Sequence, residues 1–427
     1  MATVADSVLL VLPKTSYQAE AFLSACAKLG VEVIVATDHC RALEKAWDWP
    51  ENEILVDLND PGAAVAKILE RTRHARVRAV VPAGGEPAAL VAARTADALG
   101  LPCNPASAST AARNKHAMRE LLARAGVPSP RFALFDVEAE TTDVATRLSA
   151  DIGWPCVIKP LLLSASRGVM RVDDPAHLAA CQARLRELLL QPELLDMDEV
   201  AGRKFLAESF VPGQEVALEG ILKDGSLRVL ALFDKPDPLD GPFFEETIYV
   251  TPSRHPSSVQ SAVSATTEAA ARAMGLSEGP VHAELRLAPG GPVVIEVAAR
   301  SIGGLCSRIL RFGTGLSLEE VIVRHALGEP TADLERESRS AGVMMLPIPA
   351  RGRLAGVEGV SAARAIPGIW DLVISVDIGR EVVPLPEGSS YLGFLFAAGD
   401  APDQVESTLR AAYRELEFKI VPSLPSL

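Results

Sequence analysis

The chain has 427 residues, 48% of them hydrophobic and 23% charged, a composition that excludes disordered, collagenous and disulfide-scaffold classes. At about 150 residues per domain, roughly three domains are expected. With 42 basic and 55 acidic side chains the net charge is −13, which argues against nucleic acid or an anionic membrane surface as partner, since both need a basic field at the contact.

The first elements read as a parallel α/β unit. A buried run at 7–12, closed by Pro13, precedes a helix ending at Gly30 and a second run at 31–36, which is strand, helix, strand. A third strand at 78–81 ends at Pro82, and a helix over 87–99 stops at Gly100. No GxGxxG follows the first strand, so this unit is a poor dinucleotide site. Apolar residues at 111, 118, 121, 122 and 125 predict one helix over 111–125, stopped by Gly126. The texture then turns strand-rich, with hairpin-like segments at 154–172, 203–233 and 280–298 and a helix near 258–274. A β-rich segment begins near Gly342 and closes with a strand at 391–397 and a helix near 402–416. The expected divisions are 1–110, 111–200, 201–340 and 341–427.

Six cysteines, Cys26, Cys40, Cys103, Cys156, Cys181 and Cys306, form no CxxC pair and read as buried thiols in a reducing compartment. The N-terminus MATVADSVLLVLPKT has no basic leader region, and nowhere do 18 apolar residues run together. A soluble, cytoplasmic protein is expected.

Three stretches carry chemistry. In VHAELRLAPGGPVVIEVAAR (281–300) two alternating strands flank a turn expected at 288–292. That register sets Glu284 directly opposite Glu296, with Cβ atoms about 4.5–5.5 Å apart, and His282 on the same face. Opposed like charges need a cation or a shared proton between them, and hard oxygens favour Mg²⁺. A solvated acidic edge is the plain alternative, which the neighbours Val293, Val294 and Ile295 disfavour; a one-residue slip would undo the pairing. In GWPCVIKPLLLSASRGVMRV (153–172) a strand bearing Lys159 ends at Pro160, and a loop of Ser164, Ala165, Ser166, Arg167 and Gly168 leads into another strand. Such a loop can aim backbone N–H groups at phosphate oxygens, though no Walker motif occurs and an ordinary hairpin with a surface lysine has the same pattern. In the third stretch (205–233) Glu208 ends an apolar strand, Glu215 opens the next, and Asp224-Gly225 marks a hairpin tip. Exposed strand carboxylates would look alike.

In this order, preceded by Lys115 in KHAMRELL, these pieces resemble the ATP-grasp superfamily of carboxylate-amine ligases over most of residues 1–330. EVAARSIGG, GVMMLPIPARGRLAGVEGV and YLGFLFA resemble the L-amino acid ligase branch, which makes dipeptides or related amides. The resemblance implies an α/β fold with an N-terminal parallel preATP-grasp domain, a linker helix with a small lid, an antiparallel ATP-grasp catalytic domain and a C-terminal β-rich subdomain. It implies ATP and Mg²⁺ as cofactors, with Mn²⁺ able to substitute, and small-molecule carboxylate and amine substrates; a homodimer is expected only by analogy.

Roles follow residue by residue from the same resemblance. Lys115 and Lys159 would hold ATP phosphates under a loop containing Ser164, Ser166 and Gly168. Glu208 would lie at the adenine hinge, with backbone groups from Ser209 to Val211 contacting the base, and Glu215 would accept from the ribose. Glu284 and Glu296 would bind magnesium, and Arg300 would hold the carboxylate that is activated. The segment 234–252 would border the amino acid site, where Glu246 could pair with an ammonium group and Tyr249 donate to substrate, with Glu245 an equal candidate. His282 is either a structural strand residue or a group that reaches substrate from the metal face, and Gly303 and Gly304, lacking side-chain bulk, either leave room for a larger acyl donor or serve a backbone turn. Two departures stand out: Ala298 replaces a frequent asparagine ligand, and the phosphate loop has a single glycine. The implied reaction transfers the γ-phosphoryl group to a carboxylate, after which an amine displaces phosphate, with no evident base for the amine. A bicarbonate-using carboxylase, disfavoured by the lack of a recognisable carrier domain, and a non-catalytic ATP-binding regulator, suggested by Ala298, are the alternatives.

Overall fold

The computed structural model describes residues 6–14, 16–38, 52–195, 198–331 and 333–422; Cys40 lies outside them. The N-terminal sheet comprises β1 (Asp6–Leu12), β2 (Glu32–Thr37), β3 (Glu53–Leu55) and β4 (Arg76–Pro82), all parallel, in the order β3-β2-β1-β4. Strand β1 is central and buried from Ser7 onward, as its unbroken apolar run requires. Helices α1 (Ala19–Leu29), α2 (Pro61–Thr72) and α3 (Glu86–Ala98) flank it.

The helix expected over 111–125 is two helices, α4 (Ala106–Arg113) and α5 (Lys115–Arg124). Asn114 separates them at φ −105° and ψ 109°, and its Oδ1 accepts hydrogen bonds from the N–H groups of His116 and Ala117 at 3.0 and 3.2 Å. An asparagine that caps a new helix satisfies donors left open by the first turn. The break makes Lys115 the first residue of α5.

The lid is an antiparallel sheet in the order β5-β8-β6-β7, from β5 (Phe132–Asp136), β6 (Cys156–Pro160), β7 (Met170–Val172) and β8 (Lys204–Ser209). Here the strand-rich expectation fell short. Helices α6 (Thr141–Asp151) and α7 (Pro175–Leu189) cover the sheet through Val144, Leu148, Leu178 and Leu185, and single-turn helices α8 (Pro192–Leu195) and α9 (Glu199–Gly202) lead into β8.

The largest element is an eight-stranded antiparallel sheet, ordered β13-β12-β9-β10-β11-β14-β18-β16. Its members are β9 (Gln214–Lys223), β10 (Ser226–Asp234), β11 (Ile248–Thr251), β12 (Gly279–Ala288), β13 (Gly291–Ala298), β14 (Ser340–Leu346), β16 (Ile369–Ile374) and β18 (Gly393–Gly399). Strands on both sides of residue 340 thus share one sheet. A small sheet of β15 (Gly352–Glu358), β17 (Glu381–Val382) and β19 (Glu417–Val421) adjoins it, with helices α10 (Ser257–Met274), α11 (Leu318–Ala326), α12 (Val360–Ala365) and α13 (Pro402–Arg414) around both. Asp224 and Gly225 at φ 51° and 80° make the two-residue turn expected between β9 and β10.

The alternation of the big sheet separates its faces. Val216, Leu218, Val281, Ala283 and Leu285 pack with α10 and with Met118 and Leu122 of α5. The opposite face carries polar residues on β9, β12 and β13. Farther along, that same face presents Phe233, Tyr249, Val343, Met345, Phe394 and Phe396 to a core shared with β1 and α11. Cys26, Cys156, Cys181 and Cys306 are buried thiols, whereas Cys103 is half-buried. Among the described residues no helix is long and apolar enough to cross a membrane.

Candidate active site

Register builds the centre of the site. Glu284 stands opposite Glu296 on β13 and His282 opposite Ala298, while on the other side His282 faces Glu219 of β9 and Arg286 faces Glu215. The route to this register differs from the expected one. The turn is only Pro289-Gly290, with Ala288 already paired to Gly291, and the register shifts by one residue at Ile295. This β-bulge compensates for the shorter turn and leaves Glu284 and Glu296 aligned. The bulged carbonyl of Ile295 accepts from Arg119 Nη2 at 2.5 Å.

Arg119 and Lys115 lie one turn apart on α5 and join the lid to the carboxylates. Lys115 Nζ donates to the Leu163 carbonyl at 2.8 Å and stands 3.4 Å from Glu296 Oε1. Arg119 is fully buried and bonds Glu208 Oε1 at 2.7 Å, while Lys159 Nζ bonds Glu208 Oε2 at 2.6 Å. Burial alone would raise the Glu208 carboxyl, but the Arg119 and Lys159 charges outweigh it and hold the group below the usual range. Glu208 therefore fixes the lysine that the sequence reading placed at the phosphates. Glu208→Ala should strand two buried cations and cost about 3–5 kcal/mol. Urea unfolding should show a lower midpoint, and an unshifted midpoint would refute the cluster's structural role.

A second cluster gathers around Lys235, whose Nζ bonds Glu215 Oε1 at 2.7 Å, Glu284 Oε1 at 3.1 Å and Glu246 Oε1. Glu215 Oε2 accepts from Arg286 Nε at 3.2 Å, so both oxygens that were expected to face ribose are bonded within the protein. Burial would lower Lys235, but Glu215, Glu246 and Glu284 hold its pKa well above the ordinary value. Burial and the adjacent Glu284 charge raise Glu246, whereas Lys235 and His282 overcome burial to hold Glu284 well below the usual carboxylate range. Glu246 lines the cavity, while Glu245 accepts from the backbone of Ile348.

His282 Nδ1 lies 3.1 Å from Glu219 Oε2, and its Nε2 is 3.6 Å from Glu284 Oε1. Burial would lower this imidazole, but hydrogen bonds to the two carboxylates raise it from 6.5 to about 9. A raised pKa contributes stability that is complete below 6.5 and is lost as pH rises through about 9. An NMR titration of the nucleotide-free protein should find His282 protonated at pH 7 and titrating near 9; a midpoint near 6.5 would contradict this geometry.

Beyond β13, Arg300 Nε and Nη2 bond Glu86 Oε1 at 2.9 and 2.6 Å, and Arg300 Nη1 bonds the Ser301 carbonyl at 2.9 Å. The next loop is clamped at Ile302, whose N–H donates to Glu219 Oε2 at 3.0 Å and whose carbonyl accepts from Gln18 Nε2 at 2.5 Å. Above, Ala165 and Ser166 adopt φ 54° and Gly168 φ 75°. A Cβ at Gly168 would meet Pro160 Cγ at 2.6 Å, which explains the loop's one glycine. The loop docks on the C-terminal segment: Gly168 N–H donates to Pro386 O at 2.7 Å and Arg167 Nε to Glu387 O at 2.8 Å. Arg184 grips the Glu387 carboxylate with Nε and Nη2.

A cavity of about 550 Å³ runs between lid and sheet. Lys115, Lys159, Ser164, Ser166, Glu208, Ser209, Val211, Glu215, Glu246, Tyr249, His282, Glu284, Glu296, Arg300 and Gly303 all line it; Gly168 packs behind it. The Ser209 and Phe210 amides are bonded to the carbonyls of Arg131 and Pro155, and the Val211 carbonyl accepts from Arg286 Nη1 at 2.9 Å. Sequence reasoning missed Lys235, Arg119, Glu219, Arg286, Gln18 and Glu86. Only Arg119, one helical turn from Lys115, carried a local signal.

Two antiparallel sheets facing each other across this cleft, lysines above and opposed carboxylates below, form the arrangement of an ATP-grasp domain. Residues 152–309 match the family model of the ATP-grasp domain, and residues 344–421 that of the L-amino acid ligase C-terminal domain 2. The chain is 30% identical to the uncharacterized protein y4rH of Sinorhizobium fredii over 72% of its own length and 61% of that protein's, so it spans less than two thirds of this relative. It is 28% identical to dapdiamide A synthase of Enterobacter agglomerans, over 83% of this chain and 82% of that one. The L-amino acid ligase from Bacillus licheniformis matches with a TM-score of 0.77 and 25% identity, covering 97% of this chain and 99% of that one. The chain thus carries an ATP-grasp domain followed by the C-terminal domain 2 of the L-amino acid ligases.

Proposed function

We propose that the protein uses ATP to activate an amino acid or similar carboxylate as an acyl phosphate and joins it to an amine, releasing ADP and phosphate. The carrying observation is the convergence in one cavity of Lys115 and Lys159, the opposed Glu284 and Glu296, and Arg300. The donor set suits magnesium: oxygens of Glu215, Glu246 and Glu284 lie within 4.8 Å of one another, with Glu296 across the strand, and such hard ligands favour Mg²⁺ or, as a substitute, Mn²⁺. Glu284 and Glu296 would hold the ion, which would neutralise charge on the phosphates. Lys235 balances Glu215, Glu246 and Glu284 in the nucleotide-free protein.

The chain's own part is positioning and electrostatics. Glu208 orients Lys159 toward the cavity, and Lys115 spans from the lid to Glu296. Arg300 offers a planar fork to the substrate carboxylate, which must compete with Glu86 for it. Glu246 and Tyr249 border the substrates. The 164–169 loop, docked on Pro386 and Glu387, screens an acyl phosphate from water. Dependence on ATP suits a cytoplasmic location. The paired carboxylates and Arg300 favour catalysis over a purely regulatory role.

Phosphate release from Mg-ATP across pairs of carboxylates and amines, with product masses, tests the reading. ADP formation accompanied by an amide is expected; no stimulation by any pair would overturn it.

A further inference from the structure

The polar residues of the site occupy only one end of the sheet face. At the other end the register sets Tyr249 opposite Val343 and Met345 opposite Phe394 on the side that bears Glu284; Tyr249, Met345 and Phe394 line the cavity, while Val343 and Phe396 are fully buried behind them. Three rings from two distant segments meet there: Tyr17 packs edge-on to Phe394 at 5.6 Å, and Tyr391 does so at 6.2 Å. Arg300 leads straight into this end through Gly303 and Gly304. Gly304 sits at φ 61°, where a Cβ would approach Phe394 Cε1 to 3.0 Å, whereas a Cβ at Gly303 would have nothing within 4 Å. The loop thus packs its second glycine against the aromatic ring and leaves open space beside the first.

We propose that this end receives the side chain of the acyl donor, and that the donor is an amino acid with a bulky apolar or aromatic side chain. The inference rests on the ligase reading above. The donor, rather than the amine, is assigned because Arg300, the group suited to the activated carboxylate, lies three residues before Gly303. An apolar side chain there leaves water for an apolar wall. A charged one would find its nearby counter-charges engaged, since Arg300 is taken by the activated carboxylate and Glu246 is paired with Lys235.

Hydroxylamine in large excess over each amino acid separates donor from acceptor, because it captures the acyl group ahead of the amino acid's own amine. The donor carboxylate oxygen attacks the γ-phosphorus and the bond to ADP breaks; hydroxylamine nitrogen then attacks the acyl carbon, phosphate leaves, and a proton passes to buffer. Hydroxamate formation is measured for L-phenylalanine, L-leucine, L-methionine, L-alanine, glycine, L-glutamate and L-lysine. The large apolar donors should exceed glycine in kcat/KM by at least about 30-fold, since even one methylene in a fitted pocket discriminates by about 10-fold or more. Gly303→Val should lower the phenylalanine-to-alanine ratio at least about tenfold. Tyr17→Ala, at a residue 41% exposed and so tolerant of truncation, should lower the same ratio. Glycine or a charged donor matching phenylalanine, or an unchanged ratio in both variants, would overturn the proposal while leaving the ligase reading intact. No hydroxamate from any donor would overturn both.

Discussion

Glu296→Gln should reduce turnover by about 10²–10³-fold or more, the range seen when one preorganised group facing developing charge is removed. The substitution keeps the shape and deletes the charge that would face magnesium. Its structural cost should be small, because Glu296 is 27% exposed and Lys115 keeps its 2.8 Å bond to the Leu163 carbonyl. Glu284 is a less clean target, since its loss would also unbalance Lys235 and His282. Initial rates and Mg²⁺-dependent nucleotide binding measure the effect: both should fall in Glu296→Gln while thermal unfolding stays close to that of the parent. Unchanged turnover would sink the metal assignment.

Arg300→Ala should spare nucleotide binding within about twofold but remove carboxylate-dependent turnover by a factor of about 10²–10³. Arg300→Lys should not rescue it, because an ammonium is a point charge without the fork. Removing the guanidinium also strands Glu86, whose side chain is 13% exposed and whose carboxyl the Arg300 charge holds low against its burial. A stability loss is therefore expected beside the kinetic one. The double variant Glu86→Gln/Arg300→Ala should recover stability without recovering activity. If carboxylate dependence survives in either variant, Arg300 does not hold the substrate carboxylate.

Local periodicity carried much of the design. Alternation placed Glu284, Glu296 and His282 on one face, and the three hairpins and the parallel N-terminal unit were visible as apolar runs between turn residues. The details of the decisive hairpin were not. The opposition of the two glutamates depends on a bulge at Ile295 that compensates for a shorter turn, and a strand pattern shows neither. Asn114 was hidden because helical spacing continues through it. Lys235 was beyond reach for a different reason: its carboxylates come from β9, from the segment before β11 and from β12. Their meeting follows from the strand order β12-β9-β10, a long-range property. Arg119 stands one turn from Lys115, but its partner Glu208 comes from β8, which no helix pattern reveals.

The joining of β11 to β14 in one sheet bears on how such a protein can change. A chain cut near 340 would leave β11 with a bare edge and Ile248 and Val250 stripped of their packing with α13, an invitation to aggregation. The C-terminal segment is thus no detachable module. The carboxylates and the aromatic wall are ends of one continuous plate, so divergence in what the cavity admits would proceed by single replacements on β14 and β18, within a fixed register, rather than by exchange of a whole domain.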